Sequence, residues 1–128
     1  MSEPEAAPPP DPTIRMHAVV IDCAELAPLV AFWSAALAYV EWFPPSGQFA
    51  GIKPRVRDGR LAIIFQRVSE AKVVKNRVHL DYDTTDRTGE VERLVGLGAR
   101  VLRAMDEPEG RWTVMADPAG NEFCVAEG

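Results

Sequence analysis

Lys75-Asn76-Arg77-Val78-His79-Leu80-Asp81-Tyr82-Asp83 alternates without a break. Arg77, His79, Asp81 and Asp83 fall on one side and Asn76, Val78, Leu80 and Tyr82 on the other, the period of two that a half-buried strand requires. The polar side is a row of ionisable groups able to hold a cation, an anion or a proton, while Val78, Leu80 and Tyr82 supply the packing side. Two readings meet here, a solvated sheet face carrying an incidental histidine and a functional face. The rest of the chain bears on the choice, because its second half repeats the plan of its first.

Downstream of this stretch, Thr84-Thr85-Asp86 offers N-cap oxygens to a helix whose apolar stripe is Val91, Leu94, Val95 and Leu97, closed by Gly98 as a left-handed cap. Ala99–Arg103 predicts a strand, Glu107–Gly110 a turn, Arg111–Met115 a strand, Asp117–Gly120 a turn and Asn121–Ala126 the last strand. Upstream, Ile14–Asp22 predicts a strand rich in β-branched residues. A helix follows from about Glu25 to Ala38, with Pro28 in its first turn and Leu26, Leu29, Val30, Trp33, Ala36 and Leu37 at helical spacing. Tyr39–Phe43 predicts a short strand stopped by Pro44-Pro45, then come the turn Ser46-Gly47 and a strand over Gln48–Lys53. Asp58-Gly59 turns the chain into the strand Arg60–Val68, centred on Leu61-Ala62-Ile63-Ile64-Phe65. Ser69–Lys75 is a charged connector.

Each half therefore runs strand, helix, then three strands, and a repeat of this size implies two modules packed together. The expected fold is α+β: two βαβββ modules forming curved mixed sheets around a cup-shaped pocket, with the helices on the outer face. Module one spans about residues 13–68 and module two about 76–126, within a single domain over 13–128. Residues 1–12, with Pro8-Pro9-Pro10-Asp11-Pro12 as their stiffest part, read as an extended tail and lack the apolar run of a signal peptide.

Composition narrows the function classes. At 128 residues the chain suits one domain and should bury about two-thirds of its unfolded surface. It is 47% hydrophobic and 26% charged, ordinary for a globular protein. Fourteen basic and nineteen acidic residues leave a net charge of −5, which argues against nucleic acid or an anionic membrane as partner. No stretch is long enough to span a bilayer. Cys23 and Cys124 form neither a CxxC pair nor a disulfide framework, so a reduced, cytoplasmic setting is expected.

The paired strand-helix-three-strand plan, Phe32-Trp33 in the first helix, Leu97-Gly98-Ala99 closing the second and Asp117-Pro118-Ala119-Gly120-Asn121 before the last strand resemble the vicinal oxygen chelate superfamily. Within it, Lys75–Asp81 and Asn121-Glu122-Phe123-Cys124 are similar to the small bacterial glyoxalase-like domain branch, and the similarity runs from about Ile14 to Ala126. The superfamily includes glyoxalases, extradiol dioxygenases, epimerases, antibiotic-inactivating thiol transferases and metal-free proteins that sequester drugs. The resemblance implies that enzymes of this kind hold one divalent metal in the cup, with one side chain from each of the first, fourth, fifth and eighth strands, to stabilise an enolate or similar anion. A versatile fold does not fix a function, so each position has to be checked.

The resemblance carries the fifth-strand ligand onto His79 and the fourth-strand ligand onto Gln66, a neutral and weak donor. The first-strand position falls on Ala18; His17 is one residue away, and in a strand that shift points it to the opposite face. The eighth-strand position falls on Cys124, where the metalloenzymes usually carry Glu, with Glu122 two residues earlier on the same face. Divalent catalytic sites usually need about three protein ligands, so no metal ligands are assigned, no cofactor is expected, and a divalent metal is the less favoured alternative.

Without a metal, His79 with Asp81 and Glu122 are the candidate catalytic residues, since imidazole exchanges protons near neutrality and a carboxylate orients it. Gln66, Cys124, Trp42, Phe49, Arg77 and Trp112 are the candidate substrate-binding residues, with the aromatic members suited to a planar ligand. The competing readings are a strand histidine satisfied by a neighbour, solvated surface charges for Arg77 and Lys75, and ordinary core for the aromatics. The function expected is a glyoxalase-like protein that binds a small, aromatic molecule in its cup; by resemblance it is a homodimer. The alternatives are a metal-dependent lyase, isomerase or dioxygenase using His79, and a resistance protein that sequesters a drug without chemistry.

Overall fold

A computed structural model describes Ala7 and residues 13–128, so the tail expected over residues 1–12 lies, Ala7 apart, outside the described residues. Module one comprises β1 (Ala18–Cys23), α1 (Leu26–Leu37), β2 (Tyr39–Ser46), β3 (Phe49–Pro54) and β4 (Ala62–Arg67). Module two repeats the plan with β5 (Leu80–Thr84), α2 (Arg87–Leu97), β6 (Arg100–Glu107), β7 (Gly110–Ala116) and β8 (Glu122–Glu127). Each builds a four-stranded mixed sheet, in the orders β1-β4-β3-β2 and β5-β8-β7-β6. In both, the first strand lies parallel to the last and the other pairings are antiparallel. The expected two-module α+β architecture is the one observed.

The helices begin and end for local reasons. Asp86 caps α2 by accepting a hydrogen bond from the Gly89 N–H at 3.1 Å, satisfying one of the first-turn donors that have no intrahelical partner. Gly98 closes α2 at φ 123°, its N–H bonded to the carbonyls of Leu94 and Val95, a conformation that costs little without a Cβ. In α1, Pro28 sits in the first turn, and Leu26, Leu29, Phe32 and Trp33 are buried.

Several elements depart from the sequence reading. β5 starts at Leu80, so residues 75–79 belong to the connector, and Val78, expected on the packing side, is 78% exposed. The ladder begins where β8 supplies a partner, at Leu80 opposite Phe123; before that, Asn76 gives its backbone N–H to the Glu122 carboxylate and its side-chain amide to the Glu122 carbonyl. β1 likewise starts at Ala18, opposite Ala62, and leaves Ile14 and Met16 exposed. β2 runs through Pro44-Pro45 instead of stopping there. It is an edge strand with irregular register on both sides of Phe43, and an edge is where prolines are tolerated because a missing N–H leaves no neighbour unpaired. Of the stripe expected on α2, Leu94 is buried and Val91 packs against the core, but Val95 and Leu97 are exposed.

The helix-facing sides of both sheets meet in one core, with α1 wedged between the modules. Trp33 is its bridge. Its ring lies 4.9 Å from those of Phe32 and Phe123 and 5.5 Å from that of Tyr82, and its indole N–H donates to the buried Asp117 carboxylate at 3.0 Å. Arg93 of α2 adds a polar tie by donating to the carbonyls of Ala35 and Ala36 at the end of α1. Alternation along the strands leaves the opposite side of each sheet uncovered by helices. No helix among the described residues is long and apolar enough to cross a membrane.

Candidate functional site

Among the described residues, the pairing of β5 with β8 brings one histidine, one carboxylate and one cysteine together. Asp81 lies directly opposite Cys124 in the parallel ladder, so both point to the side away from Phe123 and Val125, which face the core. His79 precedes β5 by one residue and keeps the same phase as Asp81. As a result His79, Asp81 and Cys124 offer donor atoms that all lie within 4.8 Å of one another. His79 Nε2 is 3.8 Å from Asp81 Oδ1, with side-chain exposures of 41% and 71% respectively. Cys124 is buried, and burial followed by the charge and hydrogen bond of Asp81 pushes its thiol above the ordinary range. It is therefore a protonated sulfur near neutral pH, a poor nucleophile on its own.

These groups open into a cleft of about 340 Å³ whose other side carries Trp112 and Arg111, with Glu127 at its edge. Trp112 arrives from β7, opposite Ala126. His79 also borders a second cleft of about 260 Å³, between the modules, together with Arg77, Glu122, Val20 and Asp22. The imidazole thus stands on the ridge between two openings.

Eight of the nine expected site residues fall into three groups, and Trp42 stands apart. His79, Asp81, Cys124 and Trp112 share the first cleft. Arg77 and Glu122 line the second. Gln66 and Phe49 sit opposite each other on the open side of module one's sheet and border neither of those clefts. Trp42 makes edge-on contacts with His17 at 5.7 Å and Phe43 at 5.3 Å. Phe43 is half-buried and lies over Gly51, where any Cβ would collide with its ring.

Glu122 is already engaged. Its carboxylate accepts from Lys72 Nζ at 3.1 Å and from the Asn76 N–H at 3.0 Å. Desolvation raises its proton affinity, but these bonds outweigh that effect and leave the carboxyl below its ordinary value. It ties the connector to the start of β8 and so positions the segment that delivers His79. Asp117 has a comparable fixing role: it accepts from Trp33, Ala119 and Asn121, and burial nevertheless holds its carboxyl above the usual range.

Arg111 and Asp22 border these clefts without having been singled out from the sequence. In the sequence Arg111 marks only the start of a strand, and its place opposite Asp106, with an ion pair at 3.2 Å, depends on the β6–β7 register. Nothing in the local pattern around Asp22 marks it, since its setting comes from the packing of one module on the other.

Residues 18–126 match the model of a family described as the glyoxalase-like domain, which spans every strand and helix but the last residue of β8. The chain belongs to the glyoxalase-like domain family. Solved structures share its fold. A genomically encoded fosfomycin resistance protein from Listeria monocytogenes superposes with a TM-score of 0.73 at 15% identity, covering 90% of this chain and 93% of that one. A glyoxalase-related enzyme from Fulvimarina pelagi gives 0.69 at 18% identity, with 89% and 88% covered. The bleomycin-binding protein of Streptomyces verticillus, complexed with copper(II)-bleomycin, gives 0.61 at 22% identity, with 91% and 98% covered. No curated protein sequence matches significantly.

This glyoxalase-like domain does not fit the four-strand metal set that the superfamily resemblance implies. Ala18 offers no donor atom, Gln66 offers only a neutral amide on the other sheet, and only His79 and Cys124 come together.

Proposed function

We propose that this glyoxalase-like domain binds a small, planar or aromatic molecule in the cleft of His79, Asp81, Cys124 and Trp112. The observation that carries the proposal is the convergence of an imidazole, a carboxylate and a thiol on one open cleft with an indole in its wall. Trp112 supplies a flat apolar surface and His79 a group that accepts or donates a proton, with Asp81 placed to orient it. His79 and Asp81 are the proposed catalytic pair. Glu122 acts on them indirectly, by holding the connector. The bleomycin-binding protein shares the fold and is described with a small-molecule ligand, which supports the ligand class. Arg77, Gln66, Phe49 and Trp42 would then serve ligand parts beyond the cleft or a contact with a second copy. We also propose a cytoplasmic homodimer that covers the exposed apolar side of module one's sheet, where Val20 is 52% and Phe49 43% exposed; light scattering at micromolar concentration tests it.

The ligand experiment is a fragment screen by nuclear magnetic resonance on protein stripped of metal with chelator. Aromatic fragments should shift the Trp112 indole and the backbone amides of His79 and Asp81, and Trp112→Ala should remove those shifts. Shifts clustered elsewhere on the protein, unaffected by Trp112→Ala, would overturn the assignment of the cleft.

A further inference from the structure

We infer that the seam between the modules, on the helix side of β5, is a second small-molecule site, taking a compact, uncharged, saturated ligand whose one hydrogen-bond acceptor is held by the Tyr82 hydroxyl. The seam opens as a cleft of about 300 Å³ walled by Val19, Leu37, Ile63 and Leu80, at the small end of the range for ligand sites. Leu80 and Tyr82 alternate with Asp81 along β5, so this cleft and that of His79 lie on opposite sides of the strand.

All but one of the polar groups around the cleft are spent elsewhere. The Tyr39 hydroxyl donates to the Leu61 carbonyl at 2.9 Å. Arg60 lies over the Tyr39 ring, 5.6 Å from its centroid, and is neutralised by Asp58 at 2.7 Å. Asp81 turns its carboxylate toward His79. Tyr82 is left. Its hydroxyl has no hydrogen-bond partner among the described residues, where no buried side-chain polar atom is left unpaired, so it reaches open space. Burial holds the phenol well above its ordinary range, which keeps it a donor.

Packing does not call for that oxygen. The Tyr82 ring lies 5.5 Å from Trp33 and 6.0 Å from Phe123, contacts that a phenylalanine would make equally. With Val19 laid over Leu80, its counterpart in module one is Ile21, a plain hydrocarbon. A polar atom placed where the repeat needs none, at the edge of a cleft, calls for a partner. The backbone beside the cleft is unusual as well. Ala38, between Leu37 and Tyr39, is the one non-glycine residue with positive φ among the described residues, at 56°. Such strain gathers at ligand sites, and this turn brings Leu37 of α1 and Tyr39 of β2 to the same cleft.

The ligand class follows from these walls. A charged molecule would lose its hydration without gaining a free countercharge. The tyrosine rings are already covered, by Arg60 and by Trp33, so the surface on offer is branched and aliphatic, which suits a rounded ring over a planar one. A ketone or lactone carbonyl on that ring would accept from Tyr82.

The test is a titration of the full chain with cyclooctanone, followed by methyl resonances in nuclear magnetic resonance. Saturable shifts are expected at Val19, Leu37, Ile63 and Leu80. Tyr82→Phe, which keeps the ring, should weaken binding about fivefold, and Leu61→Trp, which fills the cleft from its rim, should abolish it. Trp112→Ala should leave it unchanged, and cyclohexanecarboxylate at equal concentration should not shift these methyls. Circular dichroism confirms that each variant is folded. Absent or non-saturating shifts in the wild type, equal affinity in Tyr82→Phe, or equal binding of the carboxylate would each overturn the inference. Such a result leaves the His79 cleft standing, because that cleft is read with aromatic fragments and Trp112→Ala.

Discussion

Module one and module two share a chain plan but divide the labour. Their core-facing strand positions are occupied alike: Val19, Ile21, Ile63 and Phe65 in one, Leu80, Tyr82, Phe123 and Val125 in the other. Their outward positions diverge, with Ala18, Val20 and Ile64 where the partner module has His79, Asp81 and Cys124. The helices differ too. α1 is apolar on most sides and wedged between the modules, whereas α2 buries only Leu94 and exposes Val95 and Leu97. A repeat constrains the side of each strand that must pack and leaves the other side free to diverge, so the buried helix surface concentrates in module one and the ionisable side chains gather on module two's sheet.

The comparison can be broken most severely at Trp33. Trp33→Ala removes the ring that joins Phe32, Phe123 and Tyr82 and strips Asp117 of a donor; a loss of about 3–5 kcal/mol is expected in urea unfolding. Leu97→Ala, on the exposed flank of α2, should change the same measurement by less than about 0.5 kcal/mol. Equal costs at the two positions would mean that α1 is no more central than α2.

Asp117→Asn comes next, at about 1–3 kcal/mol, because an amide N–H₂ would face the Trp33 indole N–H or the turn's backbone donors. The pH dependence has a definite sign. The folded-state carboxyl is raised, so its protonation contributes stability that is fully present below the unfolded value of about 3.9 and lost as pH rises through the folded value. The advantage of wild type over the asparagine variant should therefore narrow as pH rises across that window.

Glu122→Gln should cost about 1–2 kcal/mol through weakened bonds to Lys72 and Asn76. Its clearest sign would be faster hydrogen exchange at the Asn76 amide, with that of Phe123 unchanged. Wild-type protection at Asn76 should itself fade at acid pH, since Glu122 is held below its ordinary value and its contribution is lost as pH falls through the folded value.

The smallest effects on stability should come from the residues proposed to carry the function. His79→Ala and Asp81→Ala, both exposed, should each shift stability by within about 0.5 kcal/mol, yet they should impair fragment binding in the proposed cleft.

Much of the fold was legible because repeated local signals agreed. Asp86 and Gly98 delimit α2 by cap chemistry, and Asp58-Gly59 precedes β4 as its turn residues suggest. The misreadings share a cause: a strand needs a neighbour, and its neighbour is not written locally. Residues 75–79 alternate as well as 80–84 do, but no strand lies beside them. Pro44-Pro45 would end a central strand and is tolerated in β2 because one side of it is unpartnered. The site was legible to the same extent. His79 and Asp81 follow from period-two phase, whereas the adjacency of Asp81 and Cys124, and the placing of Gln66 on the other sheet, depend on long-range register.

His79 stands just outside the β5–β8 ladder, at the end of the connector that Glu122 clasps. Its imidazole is carried by a loop, while Asp81, Cys124 and Trp112 are carried by the sheet. Adding or deleting a residue between Ser69 and Arg77 would re-aim one reactive group while leaving the others and the core in place. For laboratory evolution this makes the connector the natural dial for tuning the proposed cleft, at a folding cost limited to its ties to Glu122.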